Sequence, residues 1–255
     1  MVSGTVTVKE VTLGEGMPKI CVPLVSGTLA ELEKEAGALR ALAPDVVEWR
    51  SDFFAEVEDI TAVIAALERI QAILPDLPLI FTFRSAREGG EKEISTDYYI
   101  QLNKAAAQSG LVDIIDVELF NEENTVRDLI AAAHASGVFV ILSNHDFQGT
   151  PSEEEIVSRL CRAQELGGDL PKIAVMPGSP GDVLTLLAAT NRMQEQYADR
   201  PIITMSMAGE GVISRLAGEI FGSALTFGAA HKPSAPGQVA VTELRSVLEL
   251  LHRSL

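Results

Sequence analysis

A closed (β/α)8 barrel filling a single domain, residues 1–255, is the fold this sequence predicts, on three observations. Short apolar runs recur eight times, and a longer stretch of helical period follows each of them. The runs are almost continuously apolar and rich in β-branched residues, as parallel strands buried on both faces are. No linker-like or low-complexity stretch interrupts the 255 residues, a length that one barrel fills. A doubly wound open sheet is the runner-up, but eight units of about 30 residues suit the barrel better.

The first element is Thr5–Lys9, which alternates in polarity and is expected to form an N-terminal β-hairpin closing the barrel floor. The eight apolar runs then begin near Lys19, Asp45, Pro78, Val112, Val138, Pro171, Pro201 and Ala224. Between them, helices are predicted over Leu29–Leu42, Ile60–Leu74, Tyr98–Gln108, Val126–Ala135, Glu153–Leu166, Val183–Tyr197 and Val212–Phe221, with Val239–His252 last. Thr28 and Ser152 stand where an N-cap hydroxyl can accept from the first turn, and Glu153 to Glu155 add carboxylates there. Gly110, Gly137 and Gly167 fall just past three helices, where a left-handed residue closes the last turn.

Composition narrows the function. A formal charge of −16 argues against nucleic acid and anionic membrane surfaces, both of which need a basic face. An anionic metabolite would need cations clustered locally. Cys21 and Cys161 form no CxxC motif, which reads as a reduced protein. No apolar run reaches the ~18–20 residues of a membrane span, and the N-terminus lacks a signal-peptide core. A cytoplasmic location is expected by elimination.

Strand alternation sorts the polar residues by face. Val46, Glu48 and Arg50 share one face; Ile80, Thr82 and Arg84 share another; then come Ile114, Asp116 and Glu118, and Ile141, Ser143 and His145. Ile203, Met205 and Met207, and Leu225 with Phe227, complete the set. Each register begins apolar, and most end polar at the carboxyl end of the strand, where barrel enzymes hold their active sites. His145 and Lys172 lie about one strand–helix unit apart. A titratable base and an amine on neighbouring strands are the parts that imine chemistry on a carbonyl compound requires.

Plainer roles stand beside these. Glu48 and Arg50 could form a structural ion pair, and Arg84 a solvated strand end. Met205 and Met207 suit core or pocket wall, and Trp49 should face the surrounding helices. His134 suits an exposed helix, His252 a helix C-terminus and His231 a loop. Lys172, near the start of its strand, is either a solvated lysine at the barrel floor or, facing inward with Ala174, an enclosed amine. In the second case burial and nearby arginines would favour its neutral, nucleophilic form. Asp116 and Glu118 could offset positive charge or bind a metal. There is no HExxH motif and no Cys/His cluster, so no metal is expected.

Taken together, Gly14-Glu-Gly-Met-Pro-Lys-Ile, Glu48-Trp-Arg, Phe81-Thr-Phe-Arg-Ser-Ala-Arg-Glu-Gly-Gly, Ser143-Asn-His-Asp-Phe, Pro171-Lys-Ile-Ala-Val-Met, Thr204-Met-Ser-Met, Ile213-Ser-Arg-Leu-Ala-Gly and Ser234-Ala-Pro-Gly-Gln resemble type I 3-dehydroquinate dehydratase, the type I dehydroquinase of the shikimate pathway. The resemblance runs in order over almost the whole chain, and the family's fold is a (β/α)8 barrel. It implies Lys172 as imine former, His145 as general acid–base residue and Glu88 as its orienting carboxylate. It further implies that Arg215 binds the substrate carboxylate with Ser234 and Gln238, the latter two from a lid loop. Glu48, Arg50 and Arg84 would hold the ring hydroxyls, and Met205 and Phe227 would wall the ring. Glu88 should also favour the imidazolium form of His145 and fix its tautomer. No dissociable cofactor is implied, the substrate is the anion 3-dehydroquinate, and a homodimer is expected because many bacterial members are dimers. Two departures from the family pattern are Pro23, where enterobacterial relatives have a serine near the substrate, and the segment Ala229-Ala-His-Lys-Pro. Another Schiff-base barrel lyase such as a class I aldolase, a metal-assisted barrel enzyme using Asp116 and Glu118, and a catalytically dead anion-binding barrel remain as alternatives.

Overall fold

The structure, a computed structural model, describes residues 4–230 and 235–255. Two short strands, β1 (Val6–Val8) and β2 (Val11–Leu13), form an antiparallel hairpin. Eight parallel strands follow: β3 (Lys19–Leu24), β4 (Val46–Arg50), β5 (Leu79–Thr82), β6 (Ile114–Glu118), β7 (Phe139–Asp146), β8 (Leu170–Val175), β9 (Ile203–Ser206) and β10 (Leu225–Ala229). Each pairs with the next, and β10 returns to β3. The seam between β9 and β10 is closed by the Ala224 N–H donating to the Ile202 carbonyl at 2.8 Å and the Thr204 N–H donating to Ser223 Oγ at 3.0 Å. The predicted (β/α)8 barrel therefore forms.

The helices lie outside: α1 (Leu29–Leu39), α2 (Ile60–Ile73), α3 (Thr96–Gln108), α4 (Glu123–Ala135), α5 (Glu153–Glu165), α6 (Pro180–Gln196), α7 (Val212–Leu216), α8 (Gly218–Phe221) and α9 (Val241–His252). Thr28 and Ser152 cap α1 and α5 through their hydroxyls. Gly110, Gly137 and Gly167 all take positive φ. Several helix boundaries shift by one to three residues, and two differ in kind from the sequence reading. The helix expected over Val212–Phe221 breaks at Ala217, where Gly218 approaches the Pro18 ring and the Ser223 carbonyl so closely that a Cβ would meet both at 2.8 Å. Val239 and Ala240 do not open the last helix; they form β11, which pairs with Gly228 and Ala229.

One apolar cluster fills the barrel itself, and the others lie between the sheet and the helices. Val46, Ile80, Ile114, Ile141, Leu170, Ile203 and Leu225 meet at the lower end of the barrel, and Val6, Val8 and Leu13 of the hairpin join them. The hairpin thus closes the floor. Trp49 points outward, with its ring edge-on to Phe54 and Phe81. One inward step further along, β4 to β8 place Glu48, Thr82, Asp116, Ser143 and Lys172, whereas β9, β10 and β3 place Met205, Phe227 and Pro23. Every one of these eight is buried. Above the floor the barrel is therefore polar on one arc and apolar on the other.

Candidate active site

Above that floor lies a pocket of about 500 Å3, counted to its open mouth. It is lined by Glu48, Arg50, Arg84, Glu88, His145, Lys172, Met205, Arg215, Phe227 and Gln238. These are all the residues to which the resemblance gave a role except Ser234, which lies outside the described residues, as does His231.

Lys172 is the third residue of β8 and points inward beside Ser143, its partner across the β7–β8 ladder. It is only 4% exposed, so it is an enclosed amine and not a lysine of the floor. The groups around it correct one expectation. The charges nearest Nζ are carboxylates, with Asp116 Oδ2 at 3.0 Å and Glu48 Oε1 at 3.9 Å, because the stagger of the strands brings β4 and β6 toward it before any arginine. The Phe227 ring lies under the nitrogen, 4.8 Å from its centroid.

His145 follows Ser143 on the same face of β7, one step nearer the mouth. Its Nδ1 and its backbone N–H both meet Glu88 Oε2 at 2.9 Å. Glu88 stands on a 3-10 turn, Ala86–Glu88, that Gly89 and Gly90 fold back onto the strand; a Cβ on Gly90 would lie 1.9 Å from the Arg84 carbonyl. With Nδ1 held by Glu88, the ring presents Nε2 as its remaining functional atom. The expected preference for imidazolium is corrected. Burial, reinforced by the charges of Arg84, Lys172 and Arg50, holds His145 well below the usual histidine range, so the ring is neutral. Burial pushes Glu88 up to about 7 against the pull of Arg84, helped by the negative charges of Glu118 and Asp116.

Arg84 is a hub. Nη2 donates to Asp116 at 2.7 Å, and Nη1 donates to Ser143 Oγ at 3.0 Å and Glu118 at 3.1 Å. Burial opposes its charge, but Asp116, Glu118 and Glu88 together raise its pKa. Asp116 and Glu118 thus offset protein cations, the first of the two roles considered for them. Glu118 also accepts from the Ser85 N–H and hydroxyl. Glu48 accepts from Thr82 Oγ1 at 2.9 Å, and the Glu48–Arg50 ion pair considered from the sequence does not form. Arg50 is instead gripped by Asp52, Nε at 2.7 Å and Nη2 at 2.8 Å.

Arg215 differs from both arginines. It sits on α7, 2% exposed, and no carboxylate among the described residues is within ion-pair range. Nη2 donates to the Pro236 carbonyl at 3.1 Å, Nη1 lies 3.7 Å from the Met205 sulfur, and Nε, although buried, bonds to nothing. Burial pulls its pKa down to about 10. An unpaired guanidinium in a pocket wall is a receptor for a small anion.

Sequence reasoning missed Asp52 and Phe147. Asp52 follows Arg50 by two residues in a 3-10 turn, and that spacing was the available signal. Phe147 ends the Ser143-Asn-His-Asp-Phe motif and lines the pocket. Pro23 faces inward opposite Glu48 in the β3–β4 ladder without lining the pocket.

Comparison with known proteins points the same way. The sequence pattern of the family Type I 3-dehydroquinase matches residues 20–254. A 3-dehydroquinate dehydratase of Bacillus licheniformis is 62% identical over 250 residues, covering 98% of both chains. One of Listeria innocua is 62% identical over 248 residues, covering 97% of this chain and 98% of its own. A crystal structure of type I 3-dehydroquinate dehydratase from Clostridium difficile, solved with covalent modified comenic acid, superposes with a TM-score of 0.97 at 58% identity and full coverage of both chains. The 3-dehydroquinate dehydratase of Enterococcus faecalis gives 0.91 at 44% identity, over 96% of this chain and 98% of its own.

Proposed function

This chain belongs to the type I 3-dehydroquinase family and dehydrates 3-dehydroquinate to 3-dehydroshikimate, a hydro-lyase step of the shikimate pathway, and we propose that it does so through an imine on Lys172. One observation carries this reading: a buried amine, a histidine held neutral and a guanidinium that has no carboxylate partner among the described residues all face one pocket. An anionic ketone satisfies all three at once.

The substrate carboxylate docks on Arg215, helped by Gln238 and by Ser234 of the lid. Glu48, Arg50 and Arg84 meet the ring hydroxyls, and Met205 and Phe227 wall the ring. Lys172 Nζ, made neutral by giving up one proton, attacks the C3 carbonyl carbon with its lone pair. The carbinolamine then takes that proton back on its oxygen, loses the oxygen as water and leaves a protonated C=N bond. That cation draws electrons from the adjacent C2–H bond, and His145 Nε2 takes the proton. The resulting enamine pushes out the C1 hydroxyl, which leaves as water with the proton that His145 returns. One histidine thus serves both transfers on one face, a syn course. Hydrolysis of the conjugated imine frees the product and the amine. Glu88 fixes the imidazole so that Nε2 points at the substrate. The protein's own amine is the electron sink, so no dissociable cofactor is required.

The whole chain, 1–255, acts as one catalytic domain, and we assign it to the cytoplasm as a homodimer. No helix among the described residues is long and apolar enough to cross a membrane, which fits that location. Borohydride reduction in the presence of 3-dehydroquinate, followed by intact-mass and peptide-mass spectrometry, tests the chemistry. The expected result is a reduced adduct on Lys172, absent from Lys172→Ala and accumulating in His145→Ala, where attack proceeds and the later proton transfers fail. Enone formation without any adduct would overturn the imine reading.

A further inference from the structure

We propose that Asp116 is the counter-ion of the Lys172 imine, whose carboxylate keeps the imine nitrogen protonated through the elimination. The inference rests on Lys172 as the imine former and concerns what sustains the electron sink once it has formed.

Geometry singles Asp116 out. Its side chain is fully buried. Oδ1 is already committed, accepting from Ser143 Oγ at 2.6 Å and Arg84 Nη2 at 2.7 Å. Oδ2 is left for Lys172 Nζ, 3.0 Å away. Four charged or titratable side chains approach that nitrogen from other strands of the barrel, Cys21 of β3, Glu48 of β4, Asp116 itself and His145 of β7, and Arg84, past the end of β5, holds the other oxygen of Asp116. On β10 its neighbour is the uncharged Phe227 ring. Glu48 is the other carboxylate near the amine, but its closer oxygen lies 3.9 Å away and already accepts from Thr82. Asp116 also stays charged. Burial opposes its ionisation, but Arg84, Lys172 and the Ser143 hydrogen bond outweigh that and hold it below the ordinary carboxylate range.

Imine formation converts an ammonium into an iminium, so one positive charge remains on the same atom. A carboxylate placed for the first is placed for the second and need not reorganise during the reaction. The need is real, because an imine nitrogen is a far weaker base than an amine. Once deprotonated, the C=N bond no longer acidifies C2–H. His145, a neutral base in the same pocket, is there to remove a carbon proton, and an unguarded iminium would offer it a competing one.

The test compares Asp116→Asn and Asp116→Glu with the parent enzyme between pH 6 and 8.5, reading turnover alongside adduct formation on Lys172. Asp116→Asn should still form the adduct, yet its turnover at pH 8 should fall at least about a hundredfold, as expected for breaking a buried charge pair. Lowering the pH restores the proton that the carboxylate held, so its ratio to the parent should recover by up to about tenfold per pH unit. Asp116→Glu keeps the charge, so its smaller deficit should not vary with pH. A deficit in Asp116→Asn that is the same at every pH, or Asp116→Glu behaving like Asp116→Asn, would overturn the proposal in favour of simple support of Arg84. If Asp116→Asn fails to fold, the parent alone decides. Cyanoborohydride reduces only protonated imines, and its capture rate should stay flat to pH 8.5. Decline in step with a model ketimine in solution would sink the idea. A parent enzyme with no adduct at all would instead count against Lys172, a separate result.

Discussion

The two arcs of the barrel make opposite use of buried charge. On the β4–β8 arc, Arg84 and Lys172 are matched by Asp116, Glu118, Glu88 and Glu48, and every distance is that of a formed pair or hydrogen bond. On the β9–α7–β10 arc, Met205 and Phe227 present an apolar wall, and Arg215 stands in it without a carboxylate among the described residues. The first arc is complete before substrate arrives. The proposed docking of the substrate carboxylate on Arg215 would complete the second, since a buried guanidinium lacking a counter-charge costs stability that a ligand carboxylate restores. On the roles proposed above, the chemistry belongs to the arc whose charges are already balanced and fixed, and recognition of the carboxylate to the arc left unbalanced.

Removing one arginine from each arc is the most direct way to break this contrast. Arg84→Met removes the buried cation that Asp116, Glu118 and Glu88 share, and should destabilise the ligand-free protein by about 3–5 kcal/mol. Arg215→Met removes a charge that no carboxylate among the described residues opposes, so the ligand-free melting temperature should stay level or rise. Its effect should appear in binding instead, as a KM for 3-dehydroquinate raised about a hundredfold, the loss of one buried charge-assisted pair. Thermal melts of both variants without ligand check the pair of predictions. Equal destabilisation would mean that Arg215 has a counter-charge after all.

A smaller effect sharpens the electrostatics of the balanced arc. Glu88 is pushed up to about 7, whereas His145 is held well below the ordinary histidine range. Above pH 7 Glu88 is ionised and accepts from Nδ1 and the backbone N–H of His145; below it the carboxyl takes up a proton and that grip weakens. The acid limb of kcat/KM should therefore fall near pH 7, at about tenfold per pH unit, and belong to Glu88. In Glu88→Gln the limb should vanish and leave a lower, flat profile. A limb unmoved in Glu88→Gln would assign it to another group.

How far the site was legible follows the same division. Period-two alternation put Glu48, Arg50, Arg84, Asp116 and His145 on the inner face and Trp49 on the outer one, because a strand offers its side chains only two directions. Alternation could not say which carboxylate meets which cation. Arg50 turns to Asp52 and not to Glu48, and Lys172 turns to Asp116 across two strands; both depend on stagger and on a 3-10 turn that no local pattern encodes. Glu88, Arg215 and Gln238 lie beyond the strands, where periodicity has ended, so only the resemblance pointed to them. The charge state of His145 was misread for a related reason. Its carboxylate partner Glu88 was visible through the resemblance, but the burial that outweighs it, and the charges of Arg84, Lys172 and Arg50 that add to that burial, exist only once the barrel has closed.

Phe227 joins the two arcs and supplies the mildest test. It grows from the apolar arc, yet its ring lies 4.8 Å from Lys172 Nζ, offering the negative face of its π system to the amine of the other arc. Such a contact contributes about 0.5–2 kcal/mol, the upper end only where water is excluded. Because the ammonium and the iminium carry the same charge at the same place, the ring supports both alike and should hardly alter the barrier between them. Phe227→Leu keeps an apolar wall and removes only the quadrupole. We therefore expect kcat to change less than about threefold, with KM raised by roughly threefold to tenfold through looser packing of the substrate ring. A kcat drop far beyond that would mean the ring stabilises charge that develops only in the transition state. The apolar arc would then share in the chemistry, and the division between the arcs would fail.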